Sequence, residues 1–178
     1  AGAGSSAPDA ATLGFVGGVE CGLNERFQAG FEAGAAAGYG DAEVLTNYTG
    51  SFNDPAAGRE AASAMYNSGA DIVFHASGNT GTGVFQAAQE TGRFAIGVDR
   101  AQSITRDSYA DVILGSMIKR VDTPVYNAIE AKIDGEFPGG EALSLGLAEE
   151  GVGLVYGDSL GSEVPDDVAD EVSTARED

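Results

Sequence analysis

Short apolar runs alternate along this chain with longer amphipathic stretches. The run Thr12 to Gly17 reads as a strand ending in Gly17-Gly18. Asn24 is placed to cap a helix reaching about Ala37. On it Phe27, Phe31 and Ala35 share one face, and Gly30 and Gly34 allow close approach to a sheet. Glu43 to Tyr48 is a second strand. Asp54-Pro55 is a good N-cap and first-turn pair, so a helix starts there, runs to about Ser68, buries Ala61, Ala64 and Met65, and stops at Gly69.

Asp71 to Ala76 is the third strand. The loop Ser77 to Gly83 leads into a helix carrying Val84, Phe85, Ala87 and Ala88, which Gly92 closes. Arg93 to Val98 is the fourth strand; its apolar run from Phe94 stops at Asp99, as a strand covered on both faces does. The segment from Arg100 to Tyr109 is polar and loop-like, and Asp111 to Met117 is a fifth strand. Val121, Val125, Ala128, Ile129 and Ile133 then form a helical stripe, broken by Asp134-Gly135 and Pro138-Gly139-Gly140. Ala142 to Leu147 and Gly151 to Tyr156 are two further short strands. The alternation predicts an α/β fold with a mainly parallel, doubly wound sheet. Three regions are expected: a linker at 1–11, a ligand-binding lobe at 12–156 and an acidic tail at 157–178, part of it either a surface helix or disordered.

Charge narrows the classes. Asp and Glu total 28 against 9 Lys and Arg, a formal net charge of −19. A nucleic-acid partner needs a basic face, so the balance argues against one. A solvated acidic surface suited to high salt, a halophilic source, is the expectation. One cysteine, Cys21, allows no internal disulfide, and no run approaches the length needed to span a bilayer. His75 stands alone, so neither a metal cluster nor a nucleophile–base pair is in sight, and no cofactor is expected. This argues against an enzyme.

Four candidates lie at strand ends, where open α/β sheets bind ligands. Asp99 is either a solvated loop residue or helix cap, or else a general base, a metal ligand or an acceptor for vicinal hydroxyls. Gly78, in Gly78-Asn79-Thr80-Gly81-Thr82-Gly83, belongs to a tight turn or to a backbone cradle open to a ligand, and matches neither the Walker nor the dinucleotide pattern. Phe52 either staples a helix start or stacks on a base. Lys119, one of two lysines, is a surface residue or a placed cation.

These residues sit in motifs that resemble the basic membrane protein family, the PnrA-like purine-nucleoside-binding lipoproteins of ABC importers. The resemblance runs from Leu13 to Tyr156. It is carried by Gly14-Phe15-Val16-Gly17-Gly18 with Arg26-Phe27-Gln28-Ala29-Gly30-Phe31, by Tyr48-Thr49-Gly50-Ser51-Phe52-Asn53-Asp54-Pro55, by Gly69-Ala70-Asp71-Ile72-Val73-Phe74, by Ile96-Gly97-Val98-Asp99 with Gln102, and by Ser116-Met117-Ile118-Lys119-Arg120-Val121-Asp122. It implies a type I periplasmic-binding-protein fold with Rossmann-like lobes, of which this chain is the C-terminal lobe with returning segments. It implies that Phe52 stacks on a purine, that Asp99 accepts from the ribose hydroxyls, that Gly78 gives a close backbone contact and that Lys119 donates near the sugar or base. The implied partners are a purine nucleoside, an ABC transporter permease and the N-terminal lobe, with a homodimer as a further expectation. The implied location is extracytoplasmic, anchored at the cell surface. The family's Val-Asp-Ser-Asp-Gln is here Val98-Asp99-Arg100-Ala101-Gln102, one acid fewer. Two other functions stay open: a ligand-sensing regulatory domain of the same fold, and an enzyme acting on a nucleoside or sugar.

Overall fold

The computed structural model describes residues 11–177. The expected linker at 1–11 lies, but for Ala11, outside the described residues. The chain divides into two compact units, one ending at Ile96 and one beginning at Gly97.

In the first unit, β1 (Thr12–Gly17), α1 (Gly22–Gly38), β2 (Glu43–Tyr48), α2 (Pro55–Asn67), β3 (Ile72–Ala76) and α3 (Gly81–Thr91) follow in turn. The strand β4 (Phe94–Asp99) carries the chain out of it. All the pairings are parallel: β1 lies between β2 and β3, and β4 joins the far side of β3. The chain thus moves one way from β1 to β2 and the other way from β1 through β3 to β4. Right-handed crossovers in opposite directions put helices on both faces of the sheet. The fold is α/β, with a mostly parallel, doubly wound sheet.

The core of this unit is aromatic and aliphatic. Phe15, Val16, Val73, Val84 and Phe85 are fully buried. The Phe15 ring meets those of Phe31, Tyr48 and Phe74 at centroid distances of 6.5, 6.1 and 5.6 Å. Against the other face, α2 and α3 pack through glycine. A Cβ on Gly83 would come within 1.9 Å of the Pro55 carbonyl oxygen, and one on Gly58 within 2.1 Å of the Thr80 carbonyl oxygen. Asp54 caps α2 as its position implies, its carboxylate accepting from the Ala57 amide at 3.1 Å, with Pro55 in the first turn. Gly92 closes α3 in the left-handed conformation.

Several expectations fail in detail. Asn24 is not the cap of α1: it is buried inside the first turn and donates to the Val19 carbonyl at 2.7 Å, and Cys21 takes the cap position without a side-chain bond. Gly30 and Gly34 meet nothing within 4 Å, so they do not bring α1 close to the sheet. The buried face of α2 is Gly58, Ala62, Met65 and Tyr66, turned from the expected one because Gly58 rather than Ala61 faces the turn at Thr80; Ala61 is half-buried and Ala64 exposed. The segment after β3 is no open loop, because a 3₁₀ turn at Gly78–Thr80 runs directly into α3.

In the second unit, α4 (Gln102–Thr105) and a 3₁₀ turn at Asp107–Tyr109 structure the expected loop. The strand β5 (Ile113–Lys119) starts two residues later than expected and takes in Lys119. It pairs antiparallel with β6 (Val152–Tyr156), from Gly115 opposite Tyr156 to Lys119 opposite Val152. Between them lies α5 (Asp122–Asp134), and α6 (Asp166–Glu177) follows. The expected strand Ala142–Leu147 does not form: the segment is coil and turn, largely exposed, and folds back on itself through the Gly151 amide to the Gly146 carbonyl at 2.8 Å. Among the described residues no helix is long and apolar enough to cross a membrane.

Candidate functional site

The sheet of the first unit reverses winding direction between β1 and β3. The crevice at the carboxyl ends of such a strand pair is where doubly wound sheets take ligands. Here those ends are Gly17-Gly18 and Ala76-Ser77-Gly78, joined by the Gly18 amide bonding the Ala76 carbonyl at 3.2 Å. Both glycines of the first pair are dictated by rings. A Cβ on Gly17 would fall 2.4 Å from the Tyr48 ring, and one on Gly18 would fall 2.4 Å from the Phe52 ring.

Phe52 is therefore at the switch point, with its ring over Gly18 and 45% of the residue exposed. A staple across the start of α2 would need a side chain at its fourth position, which is Gly58. The ring has no such partner, and exposure of an anchored aromatic suits a stacking surface. Its backbone is firmly held: the Phe52 carbonyl accepts from the Asn79 amide at 2.9 Å and the Thr80 amide at 3.3 Å. Thr80, fully buried, takes the Asp54 amide at 2.8 Å on its hydroxyl and donates to the Ser51 carbonyl at 2.9 Å. Asn79 donates to Asn53 at 2.8 Å.

Gly78 adopts φ +58°, and a Cβ there would sit 2.9 Å from the Phe52 carbonyl oxygen. The structure thus brings Phe52 and Gly78 together, and the glycine is required both by its conformation and by the closeness of Phe52. Thr80, the clamp between the two loops, stood in the quoted loop but carried no role there. Its signal was weak, since a threonine among glycines reads equally as a turn residue. Tyr48 lies beside the same turn, its hydroxyl donating to Gln28 Oε1 at 2.6 Å. Burial first, then the carboxylates of Glu25 and Glu20, hold its proton more tightly than usual.

His75 precedes this turn and is fully buried. Its Nδ1 lies 3.3 Å from the Ser77 hydroxyl, its ring stands edge-on to Phe85, and a Cβ on Gly81 would meet the ring at 2.1 Å. It is packed as core. Among the described residues, no three histidine, cysteine or acidic side chains are grouped to hold a metal ion.

In the second unit the structure brings Asp99 and Lys119 together. Lys119 Nζ lies 3.2 Å from Asp99 Oδ1, with the two side chains 39% and 47% exposed. A pair this open contributes at most about 1 kcal/mol to stability. Asp99 is also strained: it has φ +69°, and the Arg100 amide bonds the Val98 carbonyl across it at 2.9 Å, closing a three-residue turn. Such conformations concentrate where a side chain must be aimed. A carboxylate in that posture, with a cation beside it, can accept from two neighbouring hydroxyls.

The whole described chain matches the family model described as ABC transporter substrate-binding protein PnrA-like, over residues 5–177. It is 39% identical to basic membrane protein D of Borreliella burgdorferi (strain JD1), over 89% of this chain and 46% of that protein. It is 37% identical to the ABC transporter nucleoside-binding protein BmpA of Lactococcus lactis subsp. cremoris (strain MG1363), over 88% of this chain and 48% of that protein. A solved ABC transporter solute-binding protein from Aeropyrum pernix K1 superposes with a TM-score of 0.67 at 33% identity, over 82% of this chain and 40% of that one. The chain spans about half the length of the curated relatives it matches. With a doubly wound α/β fold, a ring at its switch point and a family match along its length, this chain belongs to the PnrA-like ABC transporter substrate-binding proteins.

Proposed function

We propose that this chain is the ligand-recognising part of a receptor serving an ABC importer, and that its ligand is a purine nucleoside, bound without any bond being made or broken. The observation that carries the reading is the exposed Phe52 ring, held over Gly18 at the switch point of the sheet. Phe52 stacks on the base, and Gly78 lets the backbone approach it. Asp99 accepts from the ribose hydroxyls and Lys119 donates beside it. The nucleoside-binding name of the Lactococcus relative supports the choice of ligand.

The partners proposed with it are a transporter permease and, in the full-length protein, a second lobe; a homodimer is a further arrangement to test. The full-length protein is a lipoprotein held at the outer face of the cell. The charge of −19 fits a halophilic source, in which salt screens the self-repulsion of the surface.

Calorimetric titration of the full-length protein in high salt with inosine, guanosine, adenosine, cytidine and ribose tests the ligand. Purine nucleosides bind; cytidine and ribose stay silent. Phe52→Ala or Asp99→Ala lowers purine-nucleoside affinity by roughly a hundredfold, on the order of 3 kcal/mol. Retained affinity in either variant refutes that residue's role. Silence of a folded protein toward the whole panel refutes the receptor reading.

A further inference from the structure

The strain at Asp99 needs a source of support, and the second unit provides one that the pattern of strands and helices does not reveal. Gln102 lies three residues beyond Asp99, at the start of α4. Its Oε1 accepts from the Val98 amide at 2.7 Å, and its backbone N–H donates to the Ser116 hydroxyl at 3.1 Å. Ser116 is buried in β5, 1% exposed. The two polar groups close over Gly97, where a Cβ would lie 2.6 Å from Gln102 Oε1 and 2.7 Å from Ser116 Oγ. Only glycine leaves room for this arrangement. The side chain of Gln102 therefore replaces a neighbouring strand as the partner of the Val98 amide, one residue before Asp99. The Val98 carbonyl is taken by the Arg100 amide. Both polar groups of Val98 are thereby engaged, and Asp99 is left pointing from a backbone held on either side.

We infer that Gln102, seated by Ser116, is a positioning residue that holds the Asp99 carboxylate in its left-handed turn, ready to accept the hydroxyls of a sugar ligand. The inference rests on the reading given above and adds to it the residues that pre-organise the sugar contact. A hydroxyl-bearing ligand gains most from a carboxylate that needs no rearrangement on binding.

The test uses the full-length protein and inosine. Gln102→Met keeps the length of the side chain and removes the acceptor; Ser116→Ala removes the hydroxyl that seats it. Each lowers inosine affinity, Gln102→Met by on the order of tenfold, the worth of one lost hydrogen bond. In an Asp99→Ala background the same Gln102→Met change alters affinity less than twofold, because there is no carboxylate left to position. Equal losses in both backgrounds overturn the inference, since Gln102 would then act on the fold at large. Hydrogen exchange at the Val98 amide provides an arm independent of ligand: it is slow in the unsubstituted protein and at least tenfold faster in Gln102→Met. Unchanged exchange also overturns it. If the unsubstituted protein ignores every nucleoside, the receptor reading fails along with the sugar role, and the exchange arm alone decides whether Gln102 braces the turn.

Discussion

The two units solve the burial of helices differently. In the first, α3 buries Val84, Phe85, Ala87 and Ala88 against the sheet and α2, with glycines where the backbones meet. In the second, α5 carries an equally regular apolar stripe and buries none of it: Val125 is 53% exposed, Ile129 57% and Ile133 79%. The contrast teaches that a helical period in the sequence identifies an apolar face but not what covers it. One stripe meets a sheet within its own unit, and the other faces out.

The contrast can be tested from its strongest side. Phe85→Ala empties a fully buried site against His75, and is expected to cost the first unit about 3–5 kcal/mol. Denaturant unfolding followed by circular dichroism measures it, and a loss under about 1 kcal/mol would show the core of this unit to be loosely packed. Gly83→Ala comes next. Its methyl would lie 1.9 Å from the Pro55 carbonyl oxygen and 2.5 Å from the Arg59 amide, both backbone atoms. Helices α2 and α3 must move apart, for about 2–3 kcal/mol.

Thr80→Val keeps the shape of the buried side chain and removes both hydrogen bonds that tie the Phe52 loop, at about 1–2 kcal/mol. On the proposed reading, nucleoside affinity falls further than stability alone explains, because Phe52 loses its fixed seat; affinity untouched by the change would show that the clamp serves the fold only.

Tyr66 adds a pH dependence. Its hydroxyl donates to the Phe94 carbonyl at 2.8 Å, and burial raises its pKa above the ordinary 10.0. The folded state therefore holds the proton more tightly than the unfolded chain. This contribution is complete below pH 10 and is lost as the pH rises above it. Tyr66→Phe lowers stability near neutrality by about 1 kcal/mol and flattens the decline above pH 10, as urea midpoints across pH 8 to 11 would reveal. A decline equally steep in the variant would place its origin elsewhere.

The smallest effect belongs to the second unit. Ile129→Gln on α5 removes an exposed side chain and shifts stability by no more than about 0.5 kcal/mol. A loss of several kcal/mol in this chain would mean that the stripe is covered after all.

Much of the first unit was legible because its signals are local. The runs at Thr12–Gly17 and Glu43–Tyr48 became strands with the expected bounds, and the Asp54-Pro55 start and the Gly92 stop act through bonds to neighbouring residues. The Asn24 cap failed for the same reason in reverse, since a side chain able to cap can equally turn back to a carbonyl in the preceding segment. The strand expected at Ala142–Leu147 failed because a strand exists only through a partner, and its residues have turned toward one another.

Phe52 and Gly78 in the first unit, and Asp99 and Lys119 in the second, could be named as candidates from position and residue type. What holds them could not. Thr80 reaches residues 26 and 29 positions away, and Gln102 meets Ser116 across 14. No local pattern marks such pairs.

By itself, the order of apolar runs and chain breakers determined an α/β chain with parallel strands, the helix that begins at Asp54 and the carboxylate that ends β4, because backbone preferences and hydrophobic period act over a few residues. Only the tertiary structure decided that Phe52 lies over Gly18, that Asp99 turns through a left-handed conformation beside Lys119, and that α5 keeps its stripe exposed. Each depends on which distant segments meet. Close packing and hydrogen-bond satisfaction settle that for the chain as a whole.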